Sequence, residues 1–505
     1  MTPRLPEDIL KEIFENFEDE TGSLFSSLLV NRLWCLNVIP ILWKNPLKNQ
    51  FKKADENLLT CQHRCTLLLR TLLSCLSEES RCLLSEKNKF ELPFQISQPA
   101  LFDYPMHCKN LRTSDVSMLV WSFIEREQIN GQRGKFLFFI LEQELYKLFF
   151  SRSSAIQQFT LCTMLHSIQL FPGANTSLAN LSILRCSTEC HESFFFGLAQ
   201  ICERIKVFIV DFCDKDNDGL NFLICIQNGI NCFECKHGRI QGQENLCPNL
   251  NIALQTQAHS LKKLDIIDNI GGISLNTICA FVNLRSLKFT ISDELSDIVV
   301  NNLKNANIQN LETLEVRGEP ISVKVLSSLI KNTRGNFQKL HLCGWRPNAD
   351  DNLGSLLPIL RKYCPKLRSL STWIGEDDLI NLELLLSFCH ELENIFLRVY
   401  SNELMSRYGI FNLLKRANPV NLRKLKLEHL FLLDEEEGLE MFLKSRSTKN
   451  SLILEIVGNL ISQDSSEIIS IYKFNGVLKD VKLLCFGEDS APDQQTPYWK
   501  IDVII

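Results

Sequence analysis

From residue 156 onward, apolar residues recur in a six-residue pattern, apolar at positions one, four and six with polar residues mostly between. The clearest unit is Leu311-Glu312-Thr313-Leu314-Glu315-Val316. The pattern returns at Leu261-Leu264-Ile266, Leu284-Leu287-Phe289, Phe337-Leu340-Leu342, Leu367-Leu370-Thr372, Leu392-Ile395-Leu397 and Leu422-Leu425-Leu427. Weaker copies lie at Ile156-Phe159-Leu161, Leu178-Leu181-Ile183, Ile205-Phe208-Val210, Ile230-Phe233-Cys235, Leu452-Leu454-Ile456 with Ser451 in the first position, and Leu478-Val481-Leu483. The alternation within each hexad predicts a short strand with one buried face. Between hexads the spacing turns helical. Leu295, Ile298, Val299 and Leu303 follow Asp293, and Leu326, Leu329 and Ile330 follow Ser322, each set an apolar stripe behind a residue suited to the N-cap. Each repeat reads strand, turn, helix, turn.

Thirteen copies with first positions from 156 to 478 give a mean period of about 27 residues, within the leucine-rich-repeat range. The predicted fold is an α/β leucine-rich-repeat solenoid over residues 151–486, with a parallel sheet on the concave face and helices on the convex face. Each repeat packs on its neighbours, so 505 residues do not require several separate cores. Thirteen strands at about 4.8 Å each span roughly 60 Å, enough to hold a folded protein. The odd hexad positions point away from the core and define the candidate reading surface. They and the residues just after them include Arg317, His341, Trp373, Phe396, Arg398 and Glu428, with Trp345 and Tyr400 a little beyond. Exposed aromatics and arginines are what binding hot spots favour.

The first 46 residues carry a second signal. Leu5-Pro6-Glu7-Asp8-Ile9-Leu10-Lys11-Glu12-Ile13-Phe14 places Ile9, Leu10, Ile13 and Phe14 on one side of a helix whose first turn suits Pro6. After an acidic turn, Leu24, Leu28, Val30 and Trp34 repeat the helical spacing, and Leu42-Trp43 closes the stretch. This segment resembles the F-box, the helical module by which receptor proteins dock onto the Skp adaptor of cullin–RING (SCF) ubiquitin ligases. The matching residues are Leu5-Pro6, Ile9-Leu10, Ile13-Phe14, Val30 with Trp34, and Leu42-Trp43; the acidic turn between Phe17 and Leu24 is about two residues longer than the family pattern. The resemblance implies a substrate receptor of an SCF-type ligase, with a Skp-type adaptor and, through it, a cullin as partners. Leu5, Pro6, Ile9, Leu10, Ile13, Phe14, Leu28, Val30, Trp34 and Trp43 would make or support the adaptor contact. The alternative is a leucine-rich-repeat interaction scaffold without a ubiquitin role, in which residues 1–46 only cap the array.

Residues 47–150 read as a helical linker and N-terminal cap, with helical spacing over Leu58–Leu84, Asp115–Ile124 and Phe136–Phe150 and a Pro-containing connection between. A cap covers the apolar end that the first strand of a solenoid exposes. Residues 487–505 form a polar, Pro-containing tail ending in Val503-Ile504-Ile505.

Composition changes this picture little. The net charge of −5 is spread along the chain without a basic block, which argues against nucleic acid as a partner. No run is apolar enough to span a membrane and no secretory leader is evident, so the expected location is cytoplasmic and/or nuclear. On that expectation the twenty cysteines serve as reduced, small core residues. Cys186, Cys213 and Asn269 also fall three residues after a hexad, where such repeats carry Asn or Cys. Asp214-Lys215-Asp216-Asn217-Asp218-Gly219 imitates the start of a calcium loop, but Cys225 stands where the bidentate Glu belongs, so a polar turn is expected. Cys232 and Cys235, with His237, Cys186, Cys190 and His191, have loose zinc spacing, but Cys235 occupies an inward hexad position. No phosphate-binding glycine loop or hydrolase motif is present, and the expectation is a non-enzymatic chain without metal or cofactor.

Overall fold

The computed structural model describes residues 5–48, 58–86, 99–162, 164–236, 247–267, 273–291, 306, 308–318, 321–344, 353–399, 409–428, 436–447, 449–458 and 463–485. Trp345, Tyr400, Asn269, His237, the stripe from Asp293 to Leu303 and the tail lie outside them. The chain divides into two compact units, Met1–Cys235 with Ile252–Gln257, and Lys236–Asn251 with Ala258–Ile505.

The first unit begins with three helices, α1 (Glu7–Glu15), α2 (Thr21–Leu28) and α3 (Arg32–Leu42). Further helices at Leu58–Ser74, Glu78–Glu86, Thr113–Arg126 and Gly131–Arg152 precede most of its strands. Those strands are β1 (Asn110–Arg112), β2 (Gln158–Thr160), β3 (Ile183–Ser187), β4 (Val207–Asp211) and β5 (Cys232–Lys236), parallel and adjacent in sequence order. The second unit carries β6 (Lys263–Ile267), β7 (Ser286–Ile291), β8 (Thr313–Gly318), β9 (Lys339–Gly344), β10 (Ser369–Ile374), β11 (Asn394–Val399), β12 (Lys424–Glu428), β13 (Leu452–Gly458) and β14 (Leu478–Cys485), again parallel and in order. Among the described residues helices return the chain between strands, and the protein is an α/β leucine-rich-repeat solenoid.

The hexad sets the register. Position four forms an unbroken apolar row in the second unit, from Leu264 through Leu287, Leu314, Leu340, Leu370, Ile395, Leu425 and Leu454 to Val481. Leu111, Phe159, Leu184, Phe208 and Phe233 form the matching row in the first. A one-residue slip would turn every one of these side chains to solvent. The carbonyl at position two adds a backbone relay, accepting from two successive N–H groups of the next repeat. Lys262 O thus takes Arg285 and Ser286, Arg285 O takes Glu312 and Thr313, and Glu312 O takes Gln338 and Lys339, at 2.8–3.0 Å.

That relay corrects one hexad and adds another. The copy expected at Leu178-Leu181-Ile183 is three residues out of frame: Ser182 O accepts from Lys206 and Val207, and the buried inward residues of β3 are Leu184 and Cys186. The repeat is Leu181-Leu184-Cys186, and Cys186 is a strand core residue rather than the turn residue three places on. Leu178 misled because it is also fully buried, just after a short helix. An earlier copy, Cys108-Leu111-Thr113, precedes all thirteen; Lys109 O accepts from Gln157 and Gln158, and all three side chains are buried.

Helix entries follow the capping logic of the sequence. Ser322 Oγ accepts from Lys324 N ahead of Val323–Asn332, whose Leu326, Leu329 and Ile330 are buried. The calcium-like stretch is a polar turn: Asn217 Oδ1 accepts from Leu220 N and its Nδ2 donates to Thr188 O and Cys190 O, capping Asp218–Cys225. Burial pushes the Cys108, Cys202 and Cys364 thiols up to about 12, so these side chains act as apolar packing. Among the described residues no group of three or more His, Cys, Asp or Glu is placed to hold a metal, and no helix is long and apolar enough to cross a membrane.

Candidate functional site

Two surfaces emerge, one in each unit. In the first, α1, α2 and α3 share a small core of Leu10, Phe14, Leu24 and Val38, bordered by Leu28, Leu33, Trp34, Ile41 and Leu42. Phe14 meets Trp34 edge to face with ring centroids 5.1 Å apart, and Asn31 Oδ1 caps α3 by accepting from Trp34 N. Because successive helical residues turn by about 100°, burying Leu10 and Phe14 leaves Ile9 and Ile13 on the adjoining face. They are 45% and 37% exposed, with Leu5 and Pro6 exposed ahead of them.

The ten residues assigned to adaptor docking therefore separate by role. Leu5, Pro6, Ile9, Ile13 and Val30 present side chains to solvent, whereas Leu10, Phe14, Leu28 and Trp34 hold the three helices together. Trp43 does something else. It stacks on Tyr104 at 4.5 Å, and the next carbonyl, Lys44 O, accepts from Lys109 N and Asn110 N, the relay otherwise made by position two of a preceding repeat. The end of the helical module thus substitutes for a repeat ahead of β1. Phe17, Phe25, Leu29 and Leu36 are also exposed, Leu29 at 88%, and sequence reasoning missed them. Their apolar character alone did not separate them from core; only the packing of three short helices does. The acidic turn makes two exposed ion pairs with the segment after α3: Lys44 Nζ lies 2.8 Å from Glu18 and Lys48 Nζ lies 3.3 Å from Asp19.

The second surface is the outward side of the strands in the second unit. Register brings Trp373, Arg398 and Glu428 side by side on β10, β11 and β12, and places Ser371 beside Phe396. Arg398 donates from Nε to Glu428 at 2.9 Å and from Nη1 to Leu342 O at 3.0 Å, reaching across β10. Its guanidinium lies 4.0 Å from the centroid of Phe396 and 5.9 Å from that of Trp373, and Lys426 Nζ lies 4.4 Å from Phe396. Lys426 also contacts Glu428 at 2.7 Å. Ser371 Oγ is buried here without a hydrogen-bond partner among the described residues.

Arg317 is engaged separately, within a charge cluster on β7 and β8. Glu315 accepts from Arg317 Nε at 2.8 Å and lies 2.8 Å from Lys288 Nζ. Burial opposes ionisation of Glu315, but the two cations outweigh it and hold the carboxyl below its ordinary range. His341, on β9, bonds Ser369 Oγ at 2.8 Å, and burial lowers its pKa. Lys288, Glu315, Ser369, Ser371 and Lys426 were legible as odd hexad positions but carry no aromatic or Arg signal to single them out.

No protein-family model matches the chain, and no curated protein matches it. Among solved structures it is similar to a chain of the crystal structure of the Rad7 and Elc1 complex in yeast, at 11% identity and a TM-score of 0.44 over 77% of this chain and 87% of that one.

Proposed function

We propose that this chain is a non-catalytic receptor subunit of an SCF-type ubiquitin ligase, acting in the cytoplasm and/or nucleus. The N-terminal helices dock a Skp-type adaptor, and through it a cullin, while the outward face of the repeats holds a protein target. The supporting observation is the exposed apolar set Leu5, Ile9, Ile13, Val30 and Leu29 on a module whose own core, Leu10, Phe14, Leu24 and Val38, is already complete without it. An exposed apolar row along one face of a helix, as Ile9 and Ile13 make with Leu5 just ahead of them, is the kind of surface a docking partner covers. The chain does no bond chemistry itself; it supplies proximity between target and a ubiquitin-loaded enzyme.

Co-purification of the full chain with a Skp-type adaptor tests this reading. Retention of the adaptor by the wild-type chain and its loss in a folded Ile9→Asp, Ile13→Asp variant is the expected result. A folded wild-type chain that retains no adaptor would leave the repeat scaffold without a ubiquitin role as the function.

A further inference from the structure

The outward side of the second unit is charged unlike the rest of the chain. Across β6 to β14 its hexad positions three, five and seven carry eight Lys or Arg against five Asp or Glu, an excess of three positive charges on a chain of net −5. The excess has a definite arrangement. Two carboxylates are each held by two cations: Glu315 by Lys288 and Arg317, and Glu428 by Arg398 and Lys426. Each trio keeps one positive charge after internal pairing, and the carboxylates in register beside them have further cations of their own, Asp265 with Lys263 and Glu455 with Lys424. Lys339, exposed on β9, stands between them.

The cations are also held in place. Phe396 carries Arg398 and Lys426 against its ring, and Arg398 is fixed further by Leu342 O. A ligand carboxylate arriving there meets donors that lose little further freedom. The two trios are centred on β8 and β12, four strand spacings or about 19 Å apart, which an extended peptide crosses in about six residues.

We propose that this face binds an extended acidic segment of a protein partner, with carboxylates seated at the Lys288/Arg317 and Arg398/Lys426 pairs. The proposal names the class of target for the receptor reading and rests on its assignment of the outward face, but not on adaptor docking. A single phosphate fits less well, because the cations are divided between two sites about 19 Å apart, which one phosphate cannot reach together. A nucleic acid fits less well too, since its evenly spaced phosphates would also fall against Glu315 and Glu428, whereas a peptide can carry carboxylates only where the cations lie.

The test uses the full-length chain and four fluorescein-labelled probes read by anisotropy. These are a twelve-residue peptide with six Asp and Glu, the same peptide with Asn and Gln in their place, a neutral peptide with one phosphoserine, and a twelve-nucleotide single-stranded DNA. The acidic peptide is expected to bind at least tenfold more tightly than each of the others. Lys288→Glu with Lys426→Glu is expected to weaken it at least tenfold, and Lys339→Glu alone at least threefold should the double variant fail to fold. Equal binding of the amide peptide, tighter binding of the phosphopeptide or DNA, or unchanged binding by folded charge-reversed variants would overturn the proposal. The wild-type chain, assayed with both the acidic peptide and a Skp-type adaptor, separates the two readings. Lost peptide binding by a wild-type chain that still holds the adaptor sinks only the acidic-segment proposal, whereas peptide binding without any adaptor binding sinks only the ligase assignment.

Discussion

Replacing Ile9 and Ile13 by alanine measures the adaptor reading in free energy. Full burial of an isoleucine is worth about 1.5–3 kcal/mol. The fraction still exposed, 45% at Ile9 and 37% at Ile13, is what an adaptor could cover. Scaling gives about 0.7–1.4 kcal/mol for Ile9 and about 0.6–1.1 kcal/mol for Ile13. Together these correspond to a Kd weakened roughly 8- to 60-fold. Folding stability should change little, within about 0.5 kcal/mol, because neither side chain belongs to the Leu10–Phe14–Leu24–Val38 core and alanine is a good helix former. Isothermal titration of the adaptor into wild-type and variant chains, beside urea melts of each, separates the two quantities. A Kd shifted by less than threefold in a chain of unchanged stability would refute the assignment of this face. A large loss of stability would refute the claim that Ile9 and Ile13 stand outside the core.

Gln227 bonds three backbone groups at once, accepting from Ile205 N and donating to Cys202 O and Leu223 O, each at 2.9 Å, so Gln227→Leu should cost about 2–4 kcal/mol in urea melts by stranding buried polar groups. Asn217→Ala should cost about 1–2 kcal/mol through the lost helix cap and the bonds to Thr188 and Cys190, and added calcium should leave the wild-type melting temperature unchanged. Because Lys288 and Arg317 hold the Glu315 carboxyl below its ordinary range, its contribution is complete above the unfolded carboxylate value and is lost as pH falls through the lowered folded-state value. Urea midpoints of wild type and Glu315→Gln should therefore differ at pH 7 and converge in acid; a constant gap would show that the ion pairs do not act through charge.

The period, the strand-and-helix alternation and most registers were written in the sequence, because a strand buried on one face must repeat apolar residues with period two and neighbouring repeats must bury the same positions. The mistaken frame at Leu178 and the missed copy at Cys108-Leu111-Thr113 mark the limit of that reasoning. Both involve residues whose polarity fits more than one register, and the relay from Lys109 O and Ser182 O is backbone chemistry that side-chain patterns do not encode. For the N-terminal module, the sequence determined that Ile9, Leu10, Ile13 and Phe14 share one side of a helix. Only the packing of α1 against α3 decided that Leu10 and Phe14 are core while Ile9 and Ile13 meet water, and that Trp43 is committed to Tyr104. On the outward face, hexad position determined which side chains point away from the core. Their pairing did not follow from it, because Arg398 chooses Glu428 on the next strand, 30 residues on, and Leu342 O two strands back, 56 residues away, a choice set by distances between repeats that exist only once the sheet is assembled.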